Sequence, residues 1–170
     1  MGVRVLADKK HKFTILTTKP AIEASPTLIE LAAGIEACSK VLFDGFRFTP
    51  TDSGTQGAKA LCGSNEEVFT DENFTVSYAF WRYFLALGGA DPADDLLFAA
   101  HMTRGTTLWG YTRVSDKDAT EAWAQTDQIR CGIRYTIDHL QDPESPGWLS
   151  YQVPARAQAG WPFKPVGPVV

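Results

Sequence analysis

The chain has 170 residues, of which 44% are hydrophobic and 21% are charged, so its composition excludes a disordered protein and suits one compact domain. Its 16 lysine and arginine residues and 20 aspartate and glutamate residues leave a formal net charge of -4, which argues against a protein that wraps nucleic acid. The charge is uneven: residues 1–20 hold five basic residues against Asp8, a local +4, so the remaining residues carry -8.

Cysteine usage and hydropathy indicate a soluble protein from a reducing compartment. The cysteines at positions 38, 62 and 131 are odd in number and widely spaced, which is typical of free thiols. Burial as small apolar residues is the favoured interpretation, and a Cys38–Cys62 contact stays open. No apolar run reaches the roughly 18 residues that a membrane helix needs, so we predict no membrane insertion.

The first third of the chain is predicted to contain strands and one capped helix. Thr27 and Glu30 have the spacing of a capping box, so a short helix is expected to begin after Thr27 and to end at Gly34. The predicted strands of this region are Arg4–Ala7, Lys12–Thr18 and Ile35–Phe43.

A long polar loop and a second helix are predicted for the middle of the chain. Thr49–Asn73 is rich in glycine and polar residues and has no apolar period. Apolar side chains then occupy every second position from Phe74 to Phe80, which predicts a strand with a buried face. The second helix is expected to begin after Asp91-Pro92 and to end near Gly105, with His101 as an exposed residue that complements the helix dipole.

The strictest alternation of the sequence runs from Ile129 to Ile137 and predicts a strand with one buried and one wet face. Further expected elements are strands at Thr107–Val114 and Trp148–Val153 and a short helix within Lys117–Ala124. The final segment, Pro154–Val170, contains four prolines around Trp161 and Phe163. Because proline is excluded from inner strands, we expect an arm whose aromatic side chains bury against a neighbouring subunit.

A search for catalytic or ligand-binding motifs favours structural explanations, so we predict neither an enzyme nor a cofactor. The histidines lack a second ligand at metal spacing, and no phosphate-binding or nucleophile motif occurs. A solvated turn explains Asp116, Asp118 and Glu121 better than a calcium loop does. Helix capping likewise explains the carboxylates after Asp91 better than acid–base catalysis, and core packing explains the aromatic strand better than base stacking.

Three passages share their order with one protein family. The run Pro26–Cys38 contains P-T-L-I-E-L-A-A-G followed by a cysteine, and Asp52–Thr55 and Ala60–Cys62 form a polar loop with a Leu-Cys pair. The block Gly105–Arg113 begins with Gly-Thr and ends in arginine. Together these passages resemble the tail tube (major tail) proteins of long-tailed phages that infect actinobacteria. The resemblance covers residues 20–153 and leaves the basic first segment and the last ten residues unmatched.

The resemblance implies a mainly β fold: a β-sandwich or barrel-like tail tube domain with one or two short α-helices, an extended loop and terminal arms. On this basis the chain divides into a basic arm at 1–19, the β-domain at 20–153 and a proline-rich arm at 154–170. An acidic body would let DNA slide past without binding, and the basic segment would contact the acidic body of the next ring.

The function that the resemblance implies is that of a structural virion protein, made in the bacterial host cytoplasm. Six-membered rings would stack into a hollow tube that encloses the tape measure protein and later passes double-stranded DNA. The tail terminator and the distal tail proteins are further implied partners. Two alternatives stay open: a terminator or head–tail joining protein that forms a single ring, and a β-barrel module that binds a small apolar ligand.

Three sets of residues are candidates for contacts in such an assembly. The resemblance implies an inter-subunit loop at Asp44–Cys62, whereas Arg130 and its neighbours are chosen because they share the wet face of the strongest strand. The candidate sets are Asp44, Arg47, Asp52, Lys59 and Cys62 for the inter-subunit loop; Arg130, Arg134 and Asp138 for a lumen or interface strand; and Trp161 and Phe163 for a C-terminal docking arm.

Overall fold

A computed structural model describes residues 9–59, 65–142 and 147–168 and shows a mainly β protein, as predicted. The two helices are short: α1 spans Leu28–Ala33 and α2 spans Leu96–His101. The strands are β1 His11–Leu16, β2 Ile35–Glu36, β3 Arg47–Thr51, β4 Thr55–Lys59, β5 Asn65–Phe69, β6 Asn73–Trp81, β7 Thr107–Val114, β8 Gln128–Ile137 and β9 Ser150–Pro165.

Seven strands form one antiparallel sheet in the order β2-β1-β7-β8-β9-β6-β3, and this sheet folds over itself into two layers. The ring of Phe13 on β1 lies 5.1 Å from Phe48 on β3 and 5.4 Å from Tyr78 on β6, although these strands are far apart in the sheet order. The close approach also requires a glycine at position 110, where a Cβ would lie 2.6 Å from the Phe48 ring. The layers are therefore sandwich-like, and the sheet does not close into a barrel.

The long strand β9 joins the two layers. Its first residues, 150–154, pair with β6, whereas residues 155–165 pair with β8. Residues 155–165 of the predicted proline-rich arm therefore lie in the sheet, and they pair with one neighbouring strand. Residues 155–165 of β9 pair with β8 along one edge, and their other edge has no strand partner among the described residues. Proline lacks an amide hydrogen, but no strand on that open edge needs a donor from Pro162.

Two apolar clusters stabilise the sheet. The predicted inward positions of β8 are all buried: Cys131, Ile133, Tyr135 and Ile137 lie in the larger cluster between the layers, and Ile129 lies in the smaller one. The smaller cluster lies on the outer face of the β1-β7-β8 layer, which α1 and the end of the chain cover. Its buried members are Leu16, Leu31, Trp109, Tyr111, Ile129 and Val166.

The capping box predicted for α1 is present. The Thr27 hydroxyl accepts a hydrogen bond from the Glu30 amide at 3.3 Å, and the Glu30 carboxylate accepts from the Thr27 amide at 2.7 Å. The same carboxylate accepts from the Ala21 amide at 2.7 Å, which links the helix to the preceding loop. Burial acts to raise the pKa of Glu30, but these hydrogen bonds outweigh it and lower that pKa.

Replacing Thr27 with alanine is expected to lower the free energy of unfolding by about 1 kcal/mol, because the Glu30 amide loses its acceptor. Urea denaturation of the two proteins measures the difference. Thr27→Ser keeps the hydroxyl and serves as the control that retains most of the stability. Equal stability of Thr27→Ala and the wild type would show that the box contributes nothing.

Several predicted elements are shorter than expected. The strand predicted at Ile35–Phe43 is limited to Ile35–Glu36, because the chain then turns to connect β1 with β6 through Ala37 and Leu42. Lys117–Ala124 forms turns rather than a helix. The polar loop Thr49–Asn73 instead contains the end of β3 and the β4–β5 hairpin, and the strand predicted at Arg4–Ala7 lies outside the described residues.

Candidate functional site

The predicted inter-subunit loop, Asp44–Cys62, contains β3 and β4, and β4 forms a hairpin with β5, which follows the predicted loop. The hairpin strands pair from Thr55–Phe69 to Lys59–Asn65 and with no other strand among the described residues. Phe69 presents an apolar ring with 79% exposure. A feature that pairs only with itself and carries an exposed aromatic side chain is suited to contact another molecule.

The five loop residues predicted from the sequence are spread along this region. Asp44 lies in the turn before β3, Arg47 begins β3 and Asp52 follows it, and all three are exposed. Lys59 is the last residue of β4, and Cys62 lies outside the described residues, so a Cys38–Cys62 contact stays open. A role in subunit contacts also remains a prediction for this set.

The polar face of β8 is partly neutralised within the chain. The Arg134 guanidinium donates to the Glu23 carboxylate at 3.1 Å, and Lys19 lies 3.2 Å from the same carboxylate. Burial acts to raise the pKa of Glu23, but Lys19 and Arg134 outweigh it and lower that pKa. Asp138 pairs with Arg104 at 2.7 Å on the exposed surface. Both Arg134 and Asp138 thus have partners within the chain, and their role at the lumen or at a subunit interface stays a prediction.

Arg130 lies at the other end of the same strand face, half-buried near His11. Burial of His11 and the positive charge of Arg130 both lower the pKa of that histidine. Arg130 and Arg134 are four residues apart on an extended strand, a separation of about 13 Å, so they do not form one compact cation site. The strand alternation therefore located both side chains on one face without placing them in one patch.

The C-terminal segment packs against its own chain. Trp161 is partly buried against the smaller core cluster, so its ring packs on a core within its own chain. The Gly167 amide donates to the Pro26 carbonyl at 2.9 Å, and the Ser25 hydroxyl donates to the Pro165 carbonyl at 2.7 Å. These bonds hold residues 165–167 beside the N-terminus of α1. A docking role for the segment stays a prediction.

Phe163 is a large apolar residue of that segment that faces solvent, with 67% exposure. Its φ of +53° is rare for a bulky side chain and is maintained only where neighbouring structure enforces it. The residue follows Pro162 and interrupts the regular pairing with β8, since Cys131 pairs with Pro162 and Ile129 with Lys164. Phe163 therefore has the exposure that a docking residue needs.

The predicted N-terminal arm also contains an inner strand. Residues 11–16 form β1 between β2 and β7, so the boundary at residue 19 does not separate an arm from the sheet. Lys12, one of the basic residues of this segment, is buried and donates to the Glu36 carboxylate and to the Ala119 carbonyl. Part of the positive charge at this end of the chain is thus used within the fold.

A buried polar network was missed by sequence reasoning. His101 is 1% exposed, and its Nδ1 lies 2.6 Å from the Leu97 carbonyl, which only accepts, so Nδ1 carries the proton. The Tyr78 hydroxyl then donates to Nε2 at 2.6 Å, and the Tyr135 hydroxyl donates to Tyr78 at 2.8 Å. The expectation of an exposed His101 is wrong. His101 lies four residues after the apolar Leu97, which places both side chains on the same face of α2. That spacing is the signal in the sequence that indicates burial of His101.

A second missed feature is the fully buried Arg113 at the end of β7. Its guanidinium donates to Asp127 at 2.8 Å and to the Ala122 and Asp118 carbonyls at 3.0 and 2.8 Å. The Asp127 carboxylate also accepts from Lys117 at 2.5 Å. Burial alone would raise the pKa of Asp127, but Lys117, the neighbouring amide and Arg113 together lower it. This arginine holds the turns that were predicted to be a helix.

Across residues 9–59, 65–142 and 147–168, no three His, Cys, Asp or Glu side chains are grouped to hold a metal ion. Neither helix in this part of the chain has the length and apolar character to cross a bilayer.

The sequence matches a family model described as phage tail tube protein over residues 1–167. No curated protein and no solved structure matches the chain. The motif resemblance covered residues 20–153. The family model also matches residues 1–19 and 154–167. It also spans every described strand and both helices.

Proposed function

The chain belongs to the phage tail tube protein family, and from this premise we propose that it forms hexameric rings that stack into the hollow tube of a long-tailed phage. Membership of the family makes the protein a structural component of the virion tail that self-assembles into a tube. The proposal adds the ring size, the tape measure protein enclosed during assembly and the passage of double-stranded DNA.

The family match over nearly the whole chain carries this proposal, and exposed strand edges support it. β3 is the last strand of the sheet, and its edge away from β6 has no strand partner among the described residues. The same is true of the edge of residues 155–165 that faces away from β8. Monomeric proteins protect such edges because they pair readily with other chains. In a tube, neighbouring subunits would cover them.

The charge distribution supports the passage of DNA. The chain carries -4 overall, and the residues after position 20 carry -8 because the first 20 residues carry +4. An acidic wall repels phosphates, so a duplex would move through the tube without binding to it. We propose that the acidic residues after position 20 face the lumen more often than the basic ones do.

A ligand-binding module is the second candidate function, and one observation favours it. A cavity of about 590 Å³ lies beside β1 and is lined mainly by apolar side chains, which is within the size range of ligand pockets. A stabilising small apolar ligand would raise the unfolding temperature of the isolated chain. The family match favours the tail tube function over this one.

Electron microscopy of the concentrated purified protein tests the tail tube proposal directly. Stacked rings with six subunits are expected, and sedimentation should show particles of six times 18.7 kDa or larger. Single rings that never stack would instead indicate a terminator or head–tail joining protein. A chain that remains monomeric at every concentration would contradict the proposal.

Shortening the β4–β5 hairpin is expected to abolish tubes while the body stays folded. Gly54 and Thr70 are hydrogen-bonded to each other at 2.8 Å, so a two-residue Asn-Gly turn can join them in place of residues 55–69. Because the hairpin pairs only with itself within the described chain, the unfolding temperature should change little. Microscopy and a melting scan of the same sample give both readouts, and normal tubes from the shortened chain would contradict the prediction.

A further inference from the structure

An exposed apolar loop follows β6, and we call residues 84–90 the tip loop. Phe84 and Ala90 form a backbone bridge, and the Leu85 amide donates to the Gly89 carbonyl at 3.0 Å. Gly88 and Gly89 have φ values of +91° and +86°, which glycine adopts without strain. Leu87 is fully exposed and Leu85 is 48% exposed, so this closed turn presents two leucines to solvent.

The base of the tip loop is held in place by buried contacts. The Arg82 guanidinium donates to both oxygens of Asp95 at 2.9 and 3.0 Å and lies 3.5 Å from the centre of the Phe98 ring. The Arg82 amide donates to the Leu149 carbonyl at 2.9 Å. Beside it Trp148 is 88% exposed, which extends the apolar surface. A loop anchored in this way loses little conformational entropy when it binds.

The second feature is the apolar cavity of about 590 Å³ beside β1. Phe13 lies against the larger core cluster, whereas Val41, Leu42 and Phe46 belong to the segment that connects β2 to β3. Phe43 also lines the cavity and is 78% exposed. The cavity is thus an open apolar groove that this chain leaves uncovered within its described residues.

The charges beside the two features are opposite in sign. Lys9, Lys12 and Asp118 line the groove; Lys12 pairs with Glu36 and Asp118 pairs with Lys10, so the exposed Lys9 leaves a net positive charge there. The tip loop is followed by the partly exposed Asp91 and by Asp94, which pairs with Lys40 at 3.0 Å, so Asp91 leaves a net negative charge beside the loop. Electrostatic complementarity of this kind favours one orientation of two molecules over others.

We propose that the tip loop of one copy inserts Leu85 and Leu87 into the apolar groove of a neighbouring copy. The contact joins two different surfaces of the same chain, which is the type of interface that builds rings and filaments. It covers two exposed apolar surfaces at once, and each is unfavourable in water. The inference rests on the self-assembly proposed above and adds the residues that carry it.

Replacing Leu87 with glutamate tests the contact without disturbing the fold, because the side chain is fully exposed. The concentration needed for assembly, measured by sedimentation, is expected to rise at least tenfold while the melting temperature is unchanged. Met102→Glu is the matched control: Met102 is an apolar residue with 64% exposure outside the tip loop, and its change should leave assembly as it is. Wild-type assembly by Leu87→Glu would overturn the inference.

Cross-linking between copies supplies a positive readout. Ser39 lines the groove and is exposed, so chains with Leu87→Cys are mixed with chains with Ser39→Cys, both in a Cys38→Ser, Cys62→Ser background. Oxidation of assembled particles is expected to give disulfide-linked dimers from this pair and none when Met102→Cys replaces Leu87→Cys. Equal yields from both pairs, or no dimers from assembled particles, overturn the inference.

The two proposals fail in different ways. A wild-type chain that stays monomeric overturns the proposed function and this contact with it. A wild-type chain that forms tubes, together with a Leu87→Glu chain that forms them equally well, overturns the contact and leaves the proposed function in place.

Discussion

Replacing Arg113 with methionine is expected to lower the free energy of unfolding by about 3–5 kcal/mol, the range found when one partner of a buried ion pair is removed. Arg113 is fully buried, and its guanidinium binds Asp127 and the carbonyls of Asp118 and Ala122. Methionine fills part of the space but donates nothing, so the carbonyls lose their donors and Asp127 keeps Lys117 as its remaining cation. Urea denaturation measures the loss.

Two variants show whether this effect comes from the buried contacts. Arg113→Lys keeps the charge but has one ammonium group for several acceptors, so an intermediate loss of stability is expected. Arg104→Met removes the exposed pair with Asp138, which solvent screens, so it should cost far less stability than Arg113→Met. If Arg113→Met were as stable as Arg104→Met, the turns after β7 would not depend on the guanidinium.

Acidification is expected to destabilise the protein between about pH 6.5 and pH 4 because of His101. Burial lowers the pKa of His101 from 6.5 to about 4, although the hydrogen bond with the Leu97 carbonyl acts to raise it. In this window the unfolded chain binds a proton that the folded chain does not, so stability is complete above pH 6.5 and falls toward pH 4. The full effect is about 3 kcal/mol, since one pKa unit corresponds to about 1.4 kcal/mol.

The structural reason lies in the direction of the hydrogen bonds. Protonated His101 no longer accepts from Tyr78 at Nε2, so the hydroxyl network with Tyr135 must reverse in a buried site. The free energy of unfolding measured as a function of pH tests this. His101→Gln, whose amide does not titrate, is expected to flatten the profile, whereas the exposed His139→Gln should leave it as in the wild type. A profile unchanged by His101→Gln would contradict the assignment.

Most of the sheet was predictable because strands carry local signals. The alternation from Ile129 to Ile137 identified β8 and its buried face, and the strand predicted at Thr107–Val114 has the observed bounds. Thr27 and Glu30 located α1 through a contact between residues three positions apart. Each of these signals depends on neighbours in sequence, which is why it survives without tertiary information.

The candidate site was less predictable because its residues depend on distant partners. Arg134 was placed on the correct strand face, but its pairing with Glu23 joins residues far apart in sequence. The groove beside β1 forms where that strand meets the segment containing Val41 and Phe43. No local period of the sequence indicates such a meeting. The exposed leucines of the tip loop gave no periodic signal either.

The uneven charge, the β-rich composition, the alternating strands and the family motifs were accessible from the residue order alone, because each is a local or summed property of the chain. The tertiary structure decided which segments lie in the sheet: Trp161 and Pro162 belong to β9, which links the two layers instead of forming a separate arm. It also decided that Arg113 and His101 are buried. Burial of a polar group is stable only when its partners are in place, and those partners come from distant parts of the chain.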